Sequence, residues 1–460
     1  MATDADRMPV YSGRLAVFSW AFFDWAAQPF FTLITTFVFA PYFSSVLAAT
    51  PAEGQSLWGY ATAAAGLCIA LLAPILGSVA DATGRRKAWI LVCSVPFVIC
   101  CWAFWYAAPG AQNGVLIALI AFAVGTVAIE IATVFNNAMM PSLVPPARIG
   151  RLSGLGWALG YASGLTTLVI ALGFFAASPE TGKTLLGFTP VLGLDPTTLE
   201  GDRAVGPFSA IWYVVFLLPM LLFVPDAPKR SRFGEALRTG LNDLKTNLTH
   251  ARANKNVFRF LIANMIYNDG LVALFAFGGI YAAGQLGWGS IQIGTFGIIL
   301  TITGTLGLLL SGRLDDRFGA KLIIIFCLIV LMISGLGMIS IDKTTILFVI
   351  ETPPGEEGVL FGSLPEQMFI VLGAIIGAVA GPLQASCRSL LIRLAPPNQV
   401  TQYFGLLALS GKVTSFLAPL AVGLVTSLTS SQPAGMSVVL IFFGLGLMLL
   451  MTVKEKSAGR

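Results

Sequence analysis

Along the chain, apolar residues gather into twelve long runs separated by short polar hinges, and no stretch shows the period-two alternation of a membrane barrel. Runs of about twenty residues or more match the thickness of a bilayer, and a helix is the one open element that bonds all of its own backbone there. The expected helices are Leu15 to Leu47, Ser56 to Ala80, Ala88 to Ala108, Gly114 to Met140, Leu152 to Ala177 and Pro207 to Val224, then Val257 to Leu286, Ser290 to Gly312, Leu322 to Ile341, Glu366 to Leu391, Gln402 to Ser427 and Ala434 to Val453. A polar stretch rich in Lys and Arg, 225–256, divides them into two sets of six, residues 1–224 and 257–460. It reads as a solvated tether, with an amphipathic helix over Phe233 to Leu248 as the alternative. The pattern predicts an all-α membrane protein of two six-helix bundles.

The two sets echo one another. Gly77, Asp81, Gly84 and Arg86, between the second and third runs, fall on Gly312, Asp316, Gly319 and Lys321 at a constant offset of 235. Pro145, Pro146, Gly154 and Gly160 fall on Pro396, Pro397, Gly405 and Gly411 at 251. The chain is a doubled unit. The paired G-x-x-x-D-x-x-G hinges with trailing bases resemble the signature loop of the major facilitator superfamily. Glycines also recur every fourth residue, at Gly156, Gly160 and Gly164 and at Gly373, Gly377 and Gly381, a spacing that lets helix backbones approach closely in lipid. They read as packing positions.

Composition agrees with the pattern. At 56% hydrophobic, 11% charged and a mean hydropathy of +0.83, 460 residues carry too little polar surface to coat a soluble globule. The net charge of +5 is sorted by loop instead of forming one basic domain, so it reports topology and not a nucleic-acid partner. The termini, the tether and alternate hinges hold nearly all of the 27 Lys and Arg, and the opposite loops hold only Lys183, Arg203 and Lys343. Both termini are therefore expected in the cytosol, as in a multi-pass protein of a bacterial inner membrane, and the sequon at Asn247 is expected to be silent. The six cysteines show no C-x-x-C spacing, His250 alone cannot build a metal centre or a histidine relay, and no phosphate-cradling G-x-x-x-x-G-K-[ST] occurs. No metal, cofactor or enzymatic activity is expected. The first run is too long for a cleavable signal peptide and contains Asp24.

Five ionisable residues interrupt apolar runs: Asp24, Glu130, Asp269, Arg388 and Lys412. At 1.5 Å per residue, Asp24, Glu130 and Lys412 lie roughly 15 Å from their cytosolic ends and Asp269 about 18 Å, near the bilayer midplane. A charge there is about 3 kcal/mol unfavourable against lipid, so these groups should line a wet cavity or pair with one another. Asp24, Gln28 and Thr32 form one polar stripe, and Thr126, Glu130, Thr133 and Asn137 form another. Gln384 lies one turn before Arg388, and Asn264, Asn268 and Asp269 share the seventh run. Gln28-Pro29 and Asp269-Gly270 are places where a helix is expected to bend and release backbone groups toward a ligand.

At these residues the resemblance sharpens. Trp20-Ala-Phe-Phe-Asp24-Trp25-Ala26, Glu130 with Val134-Phe-Asn-Asn137-Ala138, Pro141 through Gly154, Tyr267-Asn-Asp-Gly270 and Gln384 through Ser410-Gly-Lys412 resemble the branch of fungal vacuolar amino-acid effluxers. The resemblance implies a central cavity lined by runs one, two, four and five and by seven, eight, ten and eleven. Ala82 stands where the hinge often has a base, and run five lacks the proline usual in drug/proton antiporters, which disfavours drug efflux. The expected protein is a monomeric, proton-coupled secondary transporter of a small polar or zwitterionic solute, an amino acid among the options. The alternatives are an exporter of amphipathic lipid-like or drug-like compounds and a non-transporting receptor or scaffold. Expected substrate contacts are Asp24, Gln28, Asn137, Asn268, Asp269, Gln384, Arg388 and Lys412. Glu130 is the expected proton carrier with Asp24 as runner-up, and Asp81 with Arg85 or Arg86, and Asp316 with Arg317, are the expected gates.

Overall fold

Helix follows apolar run throughout the structure, a computed structural model that describes residues 12–83, 86–145, 148–226, 252, 254–353, 355, 359–394, 406–407, 410–411 and 413–454. The first half contributes α1 (Arg14–Pro29), α2 (Pro51–Thr83), α3 (Arg86–Ala103), α4 (Gly114–Ala138), α5 (Ile149–Ile170) and α6 (Glu200–Phe223). The second contributes α7 (Lys255–Leu286), α8 (Ser290–Phe318), α9 (Ala320–Ile339), α10 (Leu364–Leu394), α11 (Leu417–Thr429) and α12 (Gln432–Met451). Among the described residues all but α11 are long and apolar enough to cross a membrane. Most of the tether, including the alternative helix at Phe233 to Leu248, lies outside the described residues.

The outer surface is apolar. Val92, Val95 and Ile99 form one face of α3, and each is well over half exposed. Such a stripe is stable against hydrocarbon and not against water.

The doubling persists at the end of the bundle that carries both termini. Lys87, at the start of α3, donates to Leu221 O at 2.8 Å, near the end of α6, and Lys321, at the start of α9, donates to Val453 O at 2.7 Å, just past α12. Carbonyls at a helix C-terminus lack intrahelical donors, and a lysine supplies both a proton and a favourable charge. In role, Lys321 thus matches Lys87 and not the Arg86 that the sequence offset pairs with it. Next to the echoed Asp316, Asp315 is buried: its carboxylate accepts the Ser386 hydroxyl at 2.6 Å, and Arg393 donates to its carbonyl at 3.1 Å.

Three helices depart from expectation. α6 begins at Glu200, seven residues before Pro207, because Glu200 and Asp202 suit the positive end of a helix and the Glu200 carboxylate accepts Asp195 N at 2.9 Å. The expected run Leu15 to Leu47 continues past the end of α1 at Pro29 in π-helical turns over Phe30–Phe37, and its break falls at Val38 (φ −123°, ψ −67°). The eleventh run is interrupted at residues 414–416 before α11. Pro419 explains the interruption, since it has no N–H to give to Ser415 four residues earlier and its ring crowds that turn. Asp269-Gly270, by contrast, lies inside the uninterrupted α7.

At the end away from the termini, here the far end, the halves are tied together. Gln55 of α2 donates to Thr426 of α11 at 2.8 Å and to Gln432 O at 3.3 Å, Ser56 donates to Gly423 O at 3.0 Å, and Gln432 donates to Pro51 O at 3.1 Å. Gly59 packs against Gly423, and Gly279 of α7 packs against Thr36 and Pro41 so closely that a Cβ on either would collide with backbone or proline ring. Toward the termini Gly154 has open space around it, and Trp157 and Tyr161 are exposed.

Candidate functional site

The polar stripe of α1 lies against the glycine stripe of α5. A Cβ on Gly156 would overlap the Asp24 carboxylate, one on Gly160 would come 3.3 Å from Gln28 Oε1, and one on Gly164 would come 2.6 Å from Thr32 Oγ1. Glycine at all three positions lets α5 press its backbone against polar side chains near mid-membrane. Gln28 Nε2 donates to Thr32 Oγ1 at 3.3 Å, and Asp24 and Gln28 stay half-buried. The second stripe, on α10, packs on α8 instead: Gly373, Gly377 and Gly381 meet Phe296, Leu300, Thr303 and Leu308.

Pro29 does release a backbone group, but the receivers are neighbouring helices. It has no N–H for the Trp25 carbonyl, which accepts the Ser163 hydroxyl of α5 at 2.6 Å and the Trp212 indole of α6 at 3.1 Å. In lipid such a freed carbonyl must find a donor, and two helices supply one each.

Across the interface, Asp269 of α7 is 1% exposed and accepts the Thr414 hydroxyl at 3.2 Å, at the break ahead of α11. Asn268 faces the same segment, its Nδ2 3.4 Å from where Gly411 would carry a Cβ. One turn before Arg388, Gln384 is half-buried on α10. Arg388 itself is exposed and lies over the Trp157 ring of α5, 5.9 Å from its centroid, with its charge felt at the Tyr161 hydroxyl. Trp157 follows Gly156 directly, so α5 presents Asp24 and Arg388 on faces about 100° apart. Among the described residues no carboxylate pairs with Arg388. The buried Tyr267, whose hydroxyl is 2.8 Å from the Cys387 thiol, pins α7 to α10 beside it. Periodicity gives no hint of that pair, since both residues read as apolar core.

Glu130 is half-buried on α4 and engaged. Thr133 bonds its own helix at Ile129 O, 2.8 Å away, and Asn137 is exposed. The buried amide is its neighbour Asn136, 0% exposed, whose backbone carbonyl accepts the Trp20 indole at 2.8 Å. Of the expected gates, Arg86 places its backbone N–H 3.0 Å from an Asp226 carboxylate oxygen, and Arg317 lies over the ring of its neighbour Phe318. Lys412 and Arg85, and the side chains of Asp81 and Asp316, lie outside the described residues.

The structure therefore joins α2 to α11 at the far end, seats the Asp24 carboxylate of α1 against α5 and the Asp269 carboxylate of α7 at the break ahead of α11, and lays the Arg388 guanidinium of α10 over α5. Comparison with known proteins gives a consistent picture. The profile of the family described as "Vacuole effluxer Atg22 like" matches residues 47–460. A Bacillus subtilis (strain 168) protein named "Uncharacterized MFS-type transporter YxiO" is 22% identical over 454 residues, covering 96% of this chain and 95% of that protein. "Autophagy-related protein 22-1" of Aspergillus fumigatus is 24% identical over 324 residues, 66% of this chain. That match spans 48% of the fungal protein, so the chain covers about half the length of such relatives. Among solved structures, a D-xylose-proton symporter superposes with a TM-score of 0.65 at 12% identity over 97% of this chain and 98% of that one. The nucleoside transporter NupG does so with 0.62 at 13% identity over 96% and 98%. At those identities the likeness is one of fold.

Proposed function

Because the chain belongs to the vacuole effluxer Atg22-like family of major facilitator transporters, we propose that it moves a small polar or zwitterionic solute by alternating access coupled to protons. The observation that carries this reading is Arg388. A guanidinium within an apolar helix, held by an aromatic face and by no described carboxylate, is suited to an anionic group arriving in the cleft, because its fork takes a carboxylate by two parallel bonds. Asp24 and Asp269, on helices from opposite halves, suit an ammonium group, and Lys412 adds a further positive charge by its place in the sequence. With both termini cytosolic, as the charge bias predicts, the closed far end faces outward and the cleft opens inward. The family description and the proton-coupled xylose symporter support an effluxer driven by protons, with Glu130 as the proton carrier and Asp24 as second choice. An acid in the membrane interior can hold or release a proton as the cleft changes sides.

The test is transport itself. Purified protein is screened for thermal stabilisation by amino acids, peptides, nucleosides and sugars, and a stabilising compound is loaded into proteoliposomes under an imposed proton gradient. Glu130→Gln is expected to abolish proton-driven accumulation while leaving exchange of solute for solute. Arg388→Gln is expected to weaken carboxylate-bearing compounds specifically, with normal yield of folded protein. Accumulation unchanged in Glu130→Gln removes the coupling assignment, and carboxylate affinity unchanged in Arg388→Gln removes the substrate assignment.

A further inference from the structure

A charged residue also lies buried at the far end, away from the cleft just described. Asp202, in the first turn of α6, is 2% exposed, and its carboxylate accepts the hydroxyl of Ser290, the first residue of α8 in the other half. The opening amides of α8 have no intrahelical acceptors, and the helix dipole is positive there, so a carboxylate at this position attracts the whole helix end. The groups around Asp202 leave that attraction intact. Arg203, next in sequence, turns to Trp105, donating to its carbonyl at 2.9 Å and lying 5.0 Å from its ring centroid, and it pairs with Glu200 at 3.7 Å. Tyr42, close enough to feel both charges, donates its hydroxyl to Ala107 O at 2.8 Å. Gln292 on α8 bends back to Gly289 N at 3.2 Å. Among the described residues, the other far-end hydrogen bonds between halves, from Gln55, Ser56 and Gln432, join neutral groups.

We propose that Asp202 is an ionisable latch: as a carboxylate it holds α6 to the start of α8 and keeps the far end closed, and when it takes a proton from that side the halves part there. Protonation removes the net charge that the helix end attracts, whereas the neutral bonds do not respond to pH. The two halves move as bodies in alternating access, so releasing one far-end contact biases them all. The inference uses alternating access alone and does not depend on the solute or on the roles of Arg388 and Glu130.

The experiment measures opening at a different helix pair. Ser56→Cys, at the α2–α11 contact, is introduced with Cys68→Ser, which removes the exposed native cysteine, and maleimide labelling in nanodiscs is normalised to a Thr181→Cys control in an exposed loop. With Asp202 intact, labelling is expected to be slow at neutral pH and to rise roughly tenfold as the pH is lowered through the carboxylate range. Asp202→Asn should label fast at both, Asp202→Glu should keep the pH response, and Ser290→Ala should label faster at neutral pH. Labelling independent of pH with Asp202 intact overturns the latch. So does an Asp202→Asn protein that labels slowly at neutral pH. Should Asp202→Asn fail to fold, the pH response of the intact residue and the effect of Ser290→Ala decide alone.

Discussion

Asn136 and Asn137 are adjacent and have opposite fates, the first wholly buried and the second exposed. Spacing from Glu130 selects Asn137, because periodicity reports which residues share a face and not which face meets a neighbour. The α5 glycines show the same limit from the other side. Their spacing marks them as packing positions, yet their partners are the polar stripe of α1 and not an apolar face. This yields a sharp test. Gly164→Ala places a methyl 2.6 Å from Thr32 Oγ1 and 3.2 Å from Gln28 Cγ, an overpacking expected to cost about 1–3 kcal/mol. Thermal unfolding in detergent should show the loss in Gly164→Ala, partial recovery when Thr32→Ala is added, and no loss in Gly154→Ala, where nothing lies within 4 Å. Equal loss at Gly154 and Gly164 would contradict the close packing of α1 on α5.

At the scale of elements, prolines decide where helices break, and the neighbours decide what the break is for. Pro29 frees the Trp25 carbonyl, and donors from α5 and α6 take it. Removing either donor leaves the other, so Ser163→Ala and Trp212→Phe should each be mild. The double variant buries a carbonyl without a partner, at about 1–3 kcal/mol. Adding Pro29→Ala restores an N–H to the helix and should return part of that stability, as read by the melting temperature. No recovery would mean that the two bonds do not stand in for a missing helical one. Pro419 acts differently, since the break it produces ahead of α11 faces the buried Asp269 through Thr414. The hinge chemistry was only partly legible. The sequence echo located both hinges, whereas the capping roles of Lys87 and Lys321 depend on where α6 and α12 end, which lies more than a hundred residues away in each case.

At the scale of the molecule, the protein is a multi-pass membrane transporter of the major facilitator fold, and its kin are transporters and not enzymes. The structure is closed at the far end, one of the states that the proposed alternating access visits. Gln55 and Thr426, bonded across the halves at 2.8 Å, allow that state to be trapped. In Gln55→Cys/Thr426→Cys, oxidation is expected to join the halves and stop transport, and reduction should restore it. Transport that persists in the cross-linked protein would show that the far end need not open.

The apolar runs alone determined an all-α membrane protein of many spanning helices, because bilayer thickness and backbone bonding leave few other structures for such runs. The ionisable residues within them were equally plain, since charge inside an apolar run is visible without any fold. Only the tertiary structure decided what each charge meets: Asp24 a glycine backbone, Asp269 a hydroxyl at a helix break, Arg388 an aromatic face. It also brought Asp202, which the sequence places in an outer loop, into a helix and against the other half. Local pattern records a residue's neighbours along one helix, but the partner of a buried charge comes from another helix, and its identity follows from how the helices cross.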